Sequence, residues 1–130
     1  MFRQIGSAAI YVHDQDRAKA FYTETLGFKL VQDAPLYPGA PNRWIAVKPE
    51  GASTELALLA IDENSSHYAQ TIGKNQSVTF EVVDMMGLVK ALKAKGIEFI
   101  TEPQVAPWGT SAFIRDSEGN GLLLTEAPQA

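Results

Sequence analysis

Between residues 5 and 12 apolar side chains alternate with small or polar ones. A period of two predicts a strand, with Ala8, Ile10 and Val12 on one face and Ser7, Ala9 and Tyr11 on the other. Past Asp14 the period lengthens: Ala18, Phe21, Tyr22 and Leu26 fall on one side of a helix. Asp14 is placed to cap it, because a carboxylate accepts from the free N–H groups of a first turn. Gly27 suits the left-handed position past its end. Three further strands are predicted at 28–33, 43–48 and 55–60. The connection 34–42 holds Pro35, Pro38, Gly39 and Pro41. It is expected to be irregular and to lie over a site as a lid.

The pattern then recurs. Ile10-Tyr11-Val12-His13-Asp14 resembles Phe80-Glu81-Val82-Val83-Asp84 at an offset of 70, and Pro49-Glu50-Gly51 resembles Ser117-Glu118-Gly119 at 68. Asp84 is a second cap, Met85, Leu88, Val89 and Leu92 a second helical stripe, and Gly96 a second stop. Strands are predicted at 97–102, 111–115 and 121–125, and Asp116-Ser117-Glu118-Gly119-Asn120 is a tight-turn sequence. Two β-α-β-β-β modules result, about 1–61 and 76–130. The Asn-, Ser- and Gly-containing segment 62–75 joins them as a linker. The expected class is α+β.

Composition narrows the function more than it shapes the fold. At 130 residues, two such modules share a single small domain. Fifteen acidic against eleven basic residues give a formal charge of −4. That balance argues against nucleic acid or an anionic membrane as partner. No apolar run approaches the roughly 20 residues of a membrane helix. Residues 1–5 carry no signal-peptide pattern, so a cytoplasmic location is expected. The absence of cysteine removes disulfides and thiolate chemistry together. Dinucleotide, P-loop and serine-hydrolase motifs are also missing.

The duplicated unit resembles the vicinal oxygen chelate superfamily: glyoxalase I, bleomycin-resistance proteins and extradiol dioxygenases. The resemblance is carried by Ile10–Asp14, by Phe21-Tyr22 followed by Leu26-Gly27-Phe28, and by Asp116 to Asn120, with Ser117 where the family has proline. It implies a curled sheet cavity in each chain and pairing of chains into a homodimer. In metal-dependent members, two histidines on first strands and two glutamates on last strands hold a divalent cation. The corresponding positions here are Ser7, Glu55, Ser77 and Leu123. A serine hydroxyl is a poor divalent ligand and leucine is none. His13, beside the cap, and His67, in the linker, do not restore the set. The expectation is a site without metal or other cofactor.

What remains on the same face is suited to an organic ligand. Ser7, Tyr11, Glu55, Ser77, Glu81 and Leu123 share the face by strand parity, and Trp44 and Phe113 are candidate aromatic walls. Trp44 and Trp108 fall in what reads as corresponding middle segments, and each suits either a flat ligand or ordinary packing. Arg43 suits an anionic substrate or an exposed position. Lys90, Lys93 and Lys95 are the solvated face of the second helix. Two functions stay open: a metal-free binder of a small hydrophobic or aromatic molecule, and a divergent lyase, isomerase or dioxygenase. In the second, Glu55 is the catalytic base or part of an atypical metal site.

Overall fold

The alternating stretch forms β1 (Ser7–Val12), which buries Ile10 and Val12 and leaves Ser7 and Ala9 exposed. The computed structural model describes residues 1–128. Asp14 caps α1 (Gln15–Ala20) through a bond from the Arg17 N–H at 3.0 Å. The helix then widens into a π turn, Phe21–Thr25, where the Leu26 N–H reaches back to the Phe21 carbonyl at 3.0 Å. The wider turn leaves Tyr22 fully buried between the rings of Phe21 and Phe28, whose centroids lie 5.3 and 5.8 Å away. Gly27, at φ 77°, reverses the chain. The aromatic marker of the sequence is therefore a packing cluster.

β2 (Lys29–Pro35), β3 (Arg43–Lys48) and β4 (Glu55–Ala60) complete a sheet ordered β1-β4-β3-β2, with β1 and β4 parallel. β3 and β4 have the bounds read from the sequence. β2 runs on through Pro35, which an edge strand tolerates because one side of its ladder is unpaired. Segment 62–75 is not all linker: Ser66–Thr71 is a turn of 3-10 helix. Contacts divide the chain between Ile72 and Gly73.

The second unit repeats the order. β5 (Asn75–Glu81), α2 (Met85–Ala94), β6 (Phe99–Ala106), β7 (Gly109–Arg115) and β8 (Gly121–Glu126) give a sheet ordered β5-β8-β7-β6. α2 buries Met85, Val89 and Leu92. Asp116 organises the β7–β8 turn: its Oδ1 accepts from the N–H groups of Glu118 at 2.8 Å and Asn120 at 2.9 Å. Asn120 is fully buried. Its amide donates to Asp116 Oδ2 at 3.2 Å, and its Oδ1 accepts from the Gly73 N–H at 2.7 Å and from Gln76 Nε2 at 3.2 Å. The hairpin is thus tied to the chain entering β5. Among the described residues no helix is long and apolar enough to cross a membrane.

Candidate functional site

The β3–β4 ladder pairs Val47 with Leu56 and Ala46 with Ala57. Beyond it, toward Arg43, the amide of buried Gln15 bridges the two strands. Its Nε2 donates to the carbonyls of Arg43 at 2.7 Å and Leu58 at 2.9 Å, and its Oε1 accepts from the Arg43 N–H at 3.1 Å. A side chain thus replaces ladder bonds where the strands part, and satisfies backbone groups that burial would otherwise penalise.

A cavity of about 290 Å³ opens at this end of the first unit. Tyr11, Trp44, Tyr68, Leu36 and Leu59 supply its apolar wall, and Asn42, Asp62 and Asn64 polar groups. Tyr11, opposite Leu59 on the β1–β4 ladder, stacks on Tyr68 with centroids 4.8 Å apart and planes 10° from parallel. Burial and the nearby Tyr68 and Asp62 push the Tyr11 phenol up from its ordinary value. It therefore stays neutral at physiological pH, as a hydrogen-bonding group on an apolar wall. Asp62 Oδ1 accepts from the N–H groups of Asn64 at 2.8 Å and Ser65 at 3.0 Å, and from Ser65 Oγ at 3.0 Å. This Asx turn shapes the rim. Leu36 and Asn42 come from loop 36–42, closed on itself by the bond from the Leu36 N–H to the Asn42 carbonyl at 3.1 Å.

The sequence-derived candidates separate into groups. Tyr11 and Trp44 meet in this cavity. Ser7 and Glu55 face each other at the start of β1 and β4, Ser7 exposed and Glu55 half-buried, and neither lines the cavity. In the second unit Ser77 and Glu81 are exposed on β5. Phe113 and Leu123, both half-buried, are paired across β7 and β8, and Leu123 also faces Thr79. Thr79 corresponds to Ala9, which faces Ala57. By register Leu123 therefore matches Ala57, and Gly121 holds the place of Glu55. The offset of 68, taken from the turns, shrinks to 66 in these strands. Neither glycine nor leucine offers a donor side chain, so the donor set does not fit a family-type divalent metal.

Two further expectations change. Register pairs Ala46 with Ala57 and Phe113 with Leu123, so Trp44 corresponds to Ser111 and not to Trp108. Seven residues separate β2 from β3, but only Pro107 and Trp108 separate β6 from β7, which leaves Trp108 on a turn and 59% exposed. Arg43 is not free for an anion. Its guanidinium bonds Asp16 at 2.6 Å and Asp33 at 2.9 Å, and Lys19 reaches Asp33 at 2.8 Å. Tyr68, Asp62 and Gln15 escaped the sequence reading. The Asp-x-Asn-Ser pattern at 62–65 carried a turn signal, whereas nothing marked Gln15 or Tyr68.

Hydrogen bonds from Lys19 and Arg43 hold the Asp33 carboxyl below its usual range. Its stabilisation is complete above the ordinary aspartate value of about 3.9 and fades as pH falls through the lower folded value. Asp33→Asn is expected to cost about 1 kcal/mol at neutral pH, with the gap to wild type closing in strong acid. Urea melts at both pH values check this.

Two duplicated modules with an open, aromatic-walled cavity define a class of small sheet-cavity proteins. The family model described as Glyoxalase/Bleomycin resistance protein/Dioxygenase superfamily matches residues 4–124, and the chain belongs to that superfamily. The uncharacterized protein YetH of Bacillus subtilis (strain 168) is 39% identical over 129 residues, 97% of this chain and 100% of that one. Among solved structures, a superfamily member from Sphaerobacter thermophilus DSM 20745 matches with a TM-score of 0.85 at 31% identity, over 96% of this chain and 98% of that one. TnmS3, an antibiotic binding protein from Streptomyces sp. CB03234, matches with a TM-score of 0.81 at 28% identity, over 98% of both chains.

Proposed function

We propose that this protein binds a small, flat, largely apolar organic molecule in the first unit's cavity, without a metal or other cofactor. The observation that carries the reading is the meeting of Tyr11 and Trp44, from separate strands, around one concavity with Asn42, Asp62 and Asn64 on it. Aromatic faces bind planar ligands through offset stacking, and a few polar groups fix their orientation. The likeness to an antibiotic binding protein supports the same class of ligand. So does the donor set, which holds one carboxylate where metal-dependent relatives have four ligands.

The test uses Trp108→Phe, which leaves Trp44 as sole tryptophan, and a panel of planar aromatic antibiotics. Saturable quenching of Trp44 by at least one compound is expected. Trp44→Ala, followed by calorimetry, is expected to weaken that compound about tenfold, or roughly 1.4 kcal/mol. Quenching by none, or affinity unchanged in Trp44→Ala, would reject the site. Binding is expected to survive EDTA, and elemental analysis of untagged protein to give far less than one divalent metal per chain. A stoichiometric metal required for binding would overturn the metal-free part. The reading also keeps two chains per assembly. Phe2 and Ile5, 108% and 78% exposed, support it, and light scattering at twice 14.1 kDa is the expected outcome.

A further inference from the structure

The second unit carries a concavity at the matching corner, with different chemistry. In the first unit the cavity lies where β1 and β4 end, around Tyr11 and Leu59. In the second a cavity of about 450 Å³ lies where β5 and β8 end, around Glu81 and Thr125, which face each other on the ladder. Glu81 stands where the repeat has Tyr11. The first corner is closed by the chain's own next segment, which brings Asp62 and stacks Tyr68 on Tyr11. In the second, among the described residues after β8, Ala127 alone contributes to the lining.

The lining has a consistent chemical sense. Glu81 and Glu126 bring two carboxylates, and among the described residues no Lys, Arg or His lines the cavity. The Glu81 carboxylate makes no hydrogen bond or ion pair among the described residues. Glu126 spends one oxygen, Oε2, on the Met85 N–H at the start of α2, at 3.2 Å. A cation seated in the concavity meets both carboxylates. Trp108 adds an exposed indole, which attracts cations through its face. Val83, 92% exposed, adds apolar surface. The indole is carried on a fixed turn. Gly109 has φ 139°, and a Cβ there would collide with the Glu126 carbonyl, so only glycine lets the Trp108 turn lie this close to the end of β8.

We propose that this corner is a second binding site, specific for an organic ammonium ion carrying an apolar group. The ammonium pairs with Glu81 and Glu126, and the apolar group lies on Trp108 and Val83. It does not depend on the first cavity being occupied.

The chain has two tryptophans, so its NMR spectrum contains two indole N–H signals, and Trp108→Phe assigns them. Three probes sharing a phenylethyl group are titrated into the intact protein: 2-phenylethylammonium, 2-phenylethanol and 3-phenylpropionate. The ammonium is expected to shift the Trp108 signal saturably, with affinity at least fivefold above the alcohol's, and the carboxylate to leave it unmoved. Glu81→Gln removes a side chain that bonds nothing in the fold, and is expected to weaken the ammonium at least fivefold while its spectrum stays folded. Tenfold more salt is expected to weaken it too. A difference below fivefold between ammonium and alcohol, or between wild type and Glu81→Gln, would overturn the proposal. So would a carboxylate shift matching the ammonium's. Trp44 reports the other cavity, so failure here is read separately from failure there.

Discussion

Asn120→Ala is expected to lower stability by about 2–4 kcal/mol, with a fall of roughly 10 °C in the thermal midpoint. The side chain is fully buried and ties the β7–β8 turn to Gly73 and Gln76, beside the first pair of the β5–β8 ladder. Its loss strips the Gly73 N–H of an acceptor and Asp116 Oδ2 of a donor. Buried groups left unpartnered cost more than the bond itself contributed. Asn120→Asp separates shape from charge. It keeps an acceptor for Gly73 but sets a second carboxylate against Asp116. Like charges raise the folded-state pKa of the pair, so this variant is expected to be least stable at neutral pH and to recover as pH falls through that raised value. Chemical denaturation between about pH 4 and pH 7 reads the sign. A variant equally weak at both would place the damage in shape and not in charge.

Gln15→Leu is the second large effect, again about 2–4 kcal/mol. Leucine fills nearly the same volume but leaves the Arg43 N–H and the Arg43 and Leu58 carbonyls without the amide that serves them. The strands part at this point, and Trp44 and Leu59 stand beside it in the cavity. Ligand affinity is therefore expected to fall along with stability. Gln15→Ala, which removes bulk as well, is expected to be worse. Urea denaturation gives the stability change, and Trp44 fluorescence under fully folded conditions gives the affinity. Unchanged affinity in a folded Gln15→Leu would confine this residue to stability.

The elements whose signal is local were legible in the sequence. β3 and β4 needed only short apolar runs between Pro and Gly punctuation, and Asp14 and Asp84 cap their helices as single residues can. The π turn at Phe21–Thr25 had no local mark, because the 3.6-residue period fits Ala18 and Tyr22 whether or not the helix widens. Register was harder still. A constant offset carried Leu123 onto Glu55, and a shared place in the middle segments matched Trp108 to Trp44, whereas the ladders place Gly121 and Ser111 there. Loop lengths differ between the modules, and only pairing shows where each difference is absorbed. Tyr68 stayed hidden for another reason: its segment is polar in composition and closes the cavity through one stacked ring. Of the candidate site, Tyr11 and Trp44 could be read from parity and residue type. Gln15 and Asp62 act through backbone bonds that no periodicity encodes.

The sheet order also bears on how the chain reaches this state. Within each unit the antiparallel meander joins strands adjacent in sequence, but the closing parallel pair joins Ser7 to Glu55, 48 residues apart, and Thr79 to Leu123, 44 apart. Loop closure of that length comes at an entropic cost before any contact offsets it. The meanders β2-β3-β4 and β6-β7-β8 are thus the natural nucleus, with β1 and β5 docking late. Substitutions in the first strand of either unit should speed unfolding and scarcely slow folding. Since Tyr11 and Glu81 both lie at the ends of β1 and β5, this order is expected to complete each cavity late in folding.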